Sequence, residues 1–455
     1  MDGKSKNVVL ITVDALRQDH LGYADTQEAV PTPNIDSLAD ESTVFTHAYA
    51  NGPHTRASFP SILTGTYPWE YGGYDRIVPD RPHIADWMQQ HGYRTGGFHS
   101  NPYLGPEFGY GRGFDTFRSG SDEESVMEKS RKLVMERFFG ESKNTLAYKL
   151  IERTHSLMEY VTGQTIGVPY VKGQELNRMV EKWFKTTDSE SCFAWVHYMD
   201  VHDPYLPKDD TRSSGVDSRR AIQLQKQMVN SPDRLSTADR KELKQLYKGE
   251  VEYVDGCIGD LLEIVDEHLG FEDTVVGLIS DHGEAFGEHD YYRHPHEFHE
   301  EVSRIPIMFR QPDTEGDRVD VPVSNVDVFP TLLSCVGVPV PDACSGRNIL
   351  SDDFTKQDDR GVYGHTGDPN QGKAMVVNRD WKYVQDMSSD WETLYDMEND
   401  PGERTNIAAE RTETRKRLKT TLQSHLSGLE GGGTEVSSPD VSGDVEDRLE
   451  QLGYK

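Results

Sequence analysis

The run "NVVLITV" at residues 7–13 is short, rich in β-branched residues and almost continuously apolar, and it stops on Asp14. A strand of this kind has no face to give to water. It belongs inside a parallel or mixed sheet covered by helices on both sides. "CFAWVHYM" (192–199), "TVVGLIS" (274–280) and "IPIMFR" (305–310) read as further strands. "TPNIDSLADES" predicts a helix opening at Thr32 or Asn34, with Ile35, Leu38 and Ala39 on one face. "HIADWMQQHGYRTGGFHS" reads as helix, glycine turn and strand, and a long helix is expected from about Ala238 to Leu269. This alternation predicts an α/β fold with a large, mixed, mostly parallel sheet flanked by helices.

The character changes after Asp358. "GVYGH", "AMVVN", "WKYVQD" and "ETLYDM" predict short antiparallel strands, closed by a helix over 404–427. The expected plan is a catalytic α/β domain at 1–356 and a small α+β domain at 357–430. The 455 residues suit two such units. Residues 120–172 are polar and helical in pattern and read as an insertion or lid. Residues 208–236 are charged and read as a loop. Residues 431–455 form an acidic, Gly-rich tail whose last dozen residues are candidates for a docking helix.

Charge limits the partners. The chain carries 78 acidic against 48 basic residues, a net charge of −30, and its mean hydropathy is −0.70. Such a surface repels nucleic acid and anionic membranes, and an anionic substrate needs a metal or a basic pocket to reverse the field. No apolar run reaches spanning length and the N-terminus shows no signal-like pattern, so a cytoplasmic location is expected. Oligomeric state is not encoded in any pattern found. Cys192 and Cys257 fall in core elements, and Cys335 and Cys344 are spaced for a bridge or for two free thiols.

In open α/β sheets, ligands bind beyond the carboxyl ends of the strands. Two strands here end in carboxylates, at Asp14 and in the string Asp281-His282-Gly283-Glu284. Carboxylate oxygens and imidazole nitrogens gathered there suit one divalent cation, with Ca²⁺ or Mn²⁺ first and Mg²⁺ or Zn²⁺ as alternatives. Asp200, His202 and His289 are further donors for a second metal. "PHTRASFPSILTGTYP" (53–68) places Thr55 at a helix start, where it is either a cap or a nucleophile.

The ordered set "VVLITVDALRQDHLGY", "TPNIDSLADESTVFTHAYA", "ASFPSILTGTYP", "HGYRTGGF", "HYMDVHDPY", "DTVVGLISDHGEAFGEH", "VDVFPTLL" and "WKYVQ…WETLYDMENDPGERTN" resembles the sulfatase family of the alkaline-phosphatase superfamily. The match covers most of residues 7–410. It implies an alkaline-phosphatase-like sheet and metal-dependent hydrolysis of sulfate or phosphate esters of small molecules or glycans. The family nucleophile lies ten residues before the Gly of a Thr-Gly pair, and counting back from Gly65 lands on Thr55. The family's Cys, which is oxidised to formylglycine, is therefore Thr here, so no formylglycine is expected. The motif Pro and Arg fall on Ala57 and Phe59, and Arg56 is the nearest substitute cation.

The resemblance further implies metal ligands Asp14, Thr55, Asp281 and His282. It makes His202 the candidate leaving-group acid and His294 an anion contact. His289 joins it as a substrate-side candidate, and His197 reads as packed. The family's Lys-x-His places carry Asn101 and Tyr103. These departures keep phosphodiesterase, phosphonate monoester hydrolase and phosphoglycerol-type transferase activities open beside sulfatase activity. A non-catalytic binding protein on the same fold is the alternative of another class.

The acidic excess predicts salt-assisted folding, because counterions screen self-repulsion. The refolded fraction after dilution from denaturant should be larger in concentrated salt than in dilute buffer; equal fractions would contradict this.

Overall fold

The computed structural model describes residues 7–119, 170–186, 191–205, 215–312, 314–354, 360–367, 371–429, 438–439 and 441–451. The expected insertion or lid at 120–172 lies almost wholly outside the described residues, as does the expected domain boundary near 357.

Eight strands build the main sheet: β1 (Asn7–Val13), β2 (Thr43–Phe45), β3 (Arg94–His99), β4 (Thr116–Ser119), β5 (Cys192–Tyr198), β6 (Thr274–Ser280), β7 (Ile307–Arg310) and β8 (Asp317–Val319). Their spatial order is β8-β2-β7-β6-β1-β5-β3-β4. β1 sits centrally and runs parallel to both β5 and β6. β7 is antiparallel to β6 and β2, so the sheet is mixed. Strand β7 starts two residues later than the sequence pattern suggests, after Pro306, which has no N–H to give a ladder.

The apolar continuity of β1 has a direct cause. Val9, Ile11 and Val13 point into one hydrophobic cluster, and Val8 and Leu10 into the other. The first cluster is covered by the helices Pro33–Asp40, Gly173–Phe184 and Thr237–Leu269. The second is covered by Thr55–Thr64, Ile84–Gln90 and Val328–Cys335. Each buried Val, Leu or Ile contributes about 1.5–3 kcal/mol. That fixes β1 in the centre and delivers Asp14 to the sheet's carboxyl edge.

Two expectations need correction. The supposed loop at 208–236 contains a helix, Ser218–Asn230, whose start is capped by Asp217 accepting from the Arg219 and Arg220 N–H groups. Ala221, Ile222, Leu224 and Met228 supply its buried face. The C-terminal helix begins at Thr412 rather than 404, because Asp400 accepts from the Arg404 and Thr405 N–H groups and holds that stretch as a turn. Cys335 and Cys344 are free thiols, as are Cys192 and Cys257. No helix among the described residues is long and apolar enough to cross a membrane.

The smaller sheet is an antiparallel meander of Val362–Thr366, Lys373–Val377, Trp381–Asp386 and Glu392–Asp396. One face takes Leu418 and Leu422 of the helix Thr412–Leu429, together with Tyr67 and Trp69 of the main domain. The other meets Tyr49 and Phe298. Lys382 pins this seam. Its fully buried ammonium donates to Phe298 O (2.9 Å), Glu300 Oε1 (2.6 Å) and Ser303 Oγ (3.2 Å), and pairs with Glu403 (2.8 Å). Burial disfavours the Glu403 charge, but Lys382 outweighs it and holds the carboxyl at about 2 instead of 4.5.

Lys382→Met should cost roughly 3–5 kcal/mol in urea unfolding at neutral pH, since the buried Glu403 carboxylate loses its lysine partner. A depressed carboxyl contributes stability above its unfolded value and loses it as pH falls toward the folded one. The gap between wild type and variant should therefore shrink as pH drops from 4.5 toward about 2. A gap below about 1 kcal/mol at neutral pH, the worth of a surface pair, would contradict the assignment.

Candidate active site

Asp14 follows β1 and Asp281 follows the adjacent parallel strand β6, so strand register alone places the two carboxylates side by side. Both are fully buried. Each has one oxygen served by the protein. Asp281 Oδ1 accepts from the Ala15 N–H (3.1 Å) and the His282 N–H (2.9 Å). Asp14 Oδ2 accepts from Thr55 Oγ1 (3.3 Å) and Asn101 Nδ2 (3.1 Å). The remaining oxygens, Asp14 Oδ1 and Asp281 Oδ2, are buried without a hydrogen-bond partner.

His282 completes a triangle with those two oxygens. Its Nε2 lies 3.6 Å from Asp14 Oδ1 and 3.5 Å from Asp281 Oδ2. Its Nδ1 stands 2.8 Å from Gly283 O and donates there, so a neutral ring presents its Nε2 lone pair to the two carboxylates. A lone pair and two anionic oxygens facing one point is repulsive unless a cation or a proton lies between them. The donor set of hard carboxylates plus imidazole fits one divalent cation.

Thr55 is the first residue of the helix Thr55–Thr64, and His54 precedes it in extended conformation. Thr55 Oγ1 is 3.3 Å from His282 Nε2 as well as from Asp14 Oδ2. The hydroxyl is thus buried at a helix N-terminus, against the same triangle. Free N–H groups at that terminus favour negative charge. The helix ends at Gly65, with φ of 63°, packed under Phe329 and Cys344.

Electrostatics separate the two acids. Burial pushes Asp14 up, but the imidazoles of His202, His197 and His282 around it outweigh that and hold Asp14 well below the usual carboxylate range. Asp281 is pushed up, first by burial and then by the neighbouring Asp14 charge. His294 is pushed down by burial and by His282 and His202, so it faces the site as a neutral imidazole.

Most of the sequence candidates meet here. The His294 ring lies 4.8 Å from that of His282 and 5.2 Å from that of His202. His202, fully buried, has its Nδ1 2.6 Å from Asp203 O. Asn101 touches Asp14 directly. Tyr103 stands one step back, with the Arg56 guanidinium 4.9 Å from its ring centre. Arg56 itself pairs with Asp75 and also lies against Tyr74.

His289 does not join them. It faces Glu301 at 2.7 Å and stacks on His299, with ring centres 3.7 Å apart and planes 7° from parallel. His289, His299 and Glu403 form a second donor group, but the lone pairs of stacked parallel rings lie in separate planes and Lys382 already holds Glu403. Asp200 accepts from the Gly173 N–H at a helix start. The donors named for a second metal, Asp200, His202 and His289, are therefore not gathered at one point.

Two site residues, His197 and Asn325, escaped sequence reasoning, and a third, Glu284, was named only as part of the strand-end string. His197, read as packed, points its Nε2 at Asp14 Oδ2 from 3.5 Å, while its Nδ1 meets Thr12 Oγ1 at 3.0 Å. A histidine inside an apolar strand, opposite Thr12 of β1, was the available signal. Asn325 donates to Asp281 O at 3.0 Å, and no spacing announces it. Glu284 is buried 3.6 Å from His294 Nδ1, and burial keeps its carboxyl well above the ordinary range.

Comparison with known proteins adds three findings. A family model described as Sulfatase matches residues 6–338, and one described as N-sulphoglucosamine sulphohydrolase, C-terminal, matches residues 287–430. Arylsulfatase K of Homo sapiens is 23% identical over 93% of this chain and 83% of its own length. The multifunctional alkaline phosphatase superfamily protein PehA of Trinickia caryophylli is 26% identical over 76% of each chain. Among solved structures, the phosphonate monoester hydrolase of Agrobacterium radiobacter superposes with a TM-score of 0.69 at 20% identity, covering 93% of this chain and 95% of that one. BT4656, solved with its substrate D-glucosamine-2-N,6-O-disulfate, gives 0.68 at 18% identity, covering 94% and 98%.

Burial and the Asp14 charge push the Asp281 carboxyl up, so in the acid range a proton competes with a cation there and metal binding should release it. Affinity measured by titration of Mn²⁺ or Ca²⁺ should rise with pH through the acid range and level off once Asp281 is ionised. A pH-independent affinity would contradict the shared-carboxylate assignment.

Proposed function

The chain belongs to the sulfatase family, and from that premise we propose that it is a metal-dependent hydrolase of sulfate esters with Thr55 as its nucleophile. The observation that carries this reading is the position of Thr55 Oγ1. It lies 3.3 Å from both Asp14 Oδ2 and His282 Nε2, beside two buried oxygens without partners. A bound divalent cation would neutralise those oxygens, lower the pKa of the Thr hydroxyl and draw charge from the ester oxygens. Asp14, Thr55, Asp281 and His282 are the residues that would hold it.

The remaining chemistry belongs to the chain's own side chains. Thr55 Oγ1 passes its proton to Asp14 Oδ2, 3.3 Å away, which returns it when the ester is hydrolysed; the freed oxygen attacks sulfur in line with the leaving alcohol, and the sulfur–oxygen bond to that alcohol breaks. His202 gives the departing oxygen a proton. The N–H groups at the start of the Thr55–Thr64 helix face the developing negative charge. Water then attacks the sulfate ester of Thr55, returning the hydroxyl and releasing sulfate. Neutral His294 has a lone pair to accept the water's proton. Formylglycine is made by oxidising a Cys, and this position is Thr, so the nucleophile is an ordinary hydroxyl.

The substrate class proposed is a sulfated small molecule or saccharide. Support comes from BT4656 and its disulfated glucosamine. A second reading, hydrolysis of phosphonate monoesters or phosphodiesters, is favoured by one feature. Asn101 occupies the place of the family's Lys beside Asp14, which leaves a less positive pocket for the anion. The phosphonate monoester hydrolase superposition agrees with it. Sulfate monoesters and phosphate diesters carry the same single charge, so the fold accommodates either.

Purified protein should be assayed with an aryl sulfate, an aryl phosphate monoester and a bis-aryl phosphate diester, each with Ca²⁺, Mn²⁺, Mg²⁺ or Zn²⁺. Thr55→Ala should lower kcat on the preferred ester at least about 10³-fold, while metal stoichiometry stays near that of wild type. Full activity in Thr55→Ala would remove the nucleophile assignment. Cleavage of the diester alone would move the protein to the second reading.

A further inference from the structure

The tail beyond the Gly-rich stretch is tied to the candidate site at two points. The helix Gly443–Gln451 buries Leu449, which is 2% exposed, in the cluster that contains Tyr103, Leu104 and Phe108. Val441 and Val445 pack against the same cluster. Arg448 donates to Ser100 O at 2.8 Å. Ser100 immediately precedes Asn101, whose Nδ2 holds Asp14 Oδ2 at 3.1 Å. Asn101 also folds its own loop, accepting from the Tyr103 N–H at 2.9 Å through Oδ1 and from the Leu104 N–H at 3.1 Å through its carbonyl. The second tie is Ser438, whose Oγ donates to Asp75 Oδ2 at 2.8 Å. Asp75 is the partner of Arg56, the neighbour of Thr55, and the Arg56 guanidinium lies against Tyr103.

Both threads converge on residues 100–104 and Arg56. We propose that the C-terminal segment is a working wall of the active site, with Arg448 and Ser438 as positioning residues that fix Asn101 against Asp14 and Arg56 beside Thr55. The proposal rests on the reading of Thr55 as the nucleophile.

The physical basis is preorganisation. Beside its own turn hydrogen bonds, the loop at 100–104 holds Val171 O through Ser100 Oγ (3.5 Å) and takes further cover from the helix Gly443–Gln451. The helix supplies both an apolar cover and a donor for Ser100 O. A segment on a tether stays at high effective concentration, so the contact is kept without a large interface. Loosening a positioning group by about 1 Å costs on the order of 10²-fold in rate. Undocking the tail should therefore act on catalysis without disturbing the sheet or the carboxylates.

The test uses the full chain with Leu449→Asp, which places a charge in an apolar seat, and separately Arg448→Ala and Arg448→Lys. Hydrogen exchange is followed at residues 100–104 and 443–451, alongside kcat/KM on whichever ester wild type cleaves and the metal stoichiometry. The expected result for Leu449→Asp and Arg448→Ala is faster exchange at 100–104, unchanged exchange in β1 and β6, retained metal, and kcat/KM lower by about tenfold or more. Arg448→Lys, which keeps a donor, should recover most of both readouts.

Faster exchange at 443–451 with wild-type exchange at 100–104 would overturn the proposal, and so would wild-type kcat/KM in an undocked variant. Faster exchange across the whole sheet, with metal lost, would overturn it in favour of a purely structural tail. If wild type shows no Thr55-dependent turnover, the catalytic reading has failed. The exchange data then still decide whether the tail fixes residues 100–104.

Discussion

Two buried carboxylates at adjacent strand ends set the terms for this molecule. Asp14 and Asp281 are brought together by the parallel register of β1 and β6, and neither can reach water. Isolated buried charges cost several kcal/mol each even after relaxation. The protein supplies a partial answer through backbone N–H groups, Asn101, Thr55 and the surrounding histidines, and it leaves one oxygen on each acid unserved. On the proposed reading, a bound divalent cation would relieve that deficit.

The arrangement explains why a hydroxyl suffices. Thr55 touches Asp14 and His282 at once and stands where helix N–H groups point. On the proposed reading, a nearby positive charge would make this hydroxyl a nucleophile without prior oxidation. The same logic explains the histidine ring around the acids. His197, His202, His282 and His294 can hold or move protons, yet burial keeps His294 neutral, so the pocket is polar without being strongly cationic. An acidic protein that takes an anionic ester would then rely on the bound metal for most of the local attraction.

The sequence made the frame visible because the frame depends on local patterns. The run Thr274–Ser280 coincides with its strand, and the helix Thr237–Leu269 begins one residue from its expected start. Asp14, Thr55, Asp281 and His282 were visible because motif spacing ties them to element ends. The helix Ser218–Asn230 was hidden by its charged outer face, although Ala221, Leu224 and Met228 carry helical spacing. Asn325 was hidden for a different reason: it reaches the site from the short helix Asn325–Asp327, whose local sequence says nothing of what it touches. His289 shows the reverse error: a histidine near the right motif was captured by Glu301 and His299 instead.

The smaller domain and the tail contribute in distinct ways. Lys382 locks the antiparallel sheet to the main domain by a buried charge network, whereas the helix Gly443–Gln451 docks through a few apolar residues next to the loop that holds Asn101. The central claim, though, is Thr55 as a metal-assisted nucleophile. Its most direct test is mass analysis of the peptide containing residue 55 after rapid acid quench of metal-loaded protein turning over a sulfate ester. A sulfonate group on Thr55 is the predicted result. A covalent adduct mapped to any other residue would contradict the account.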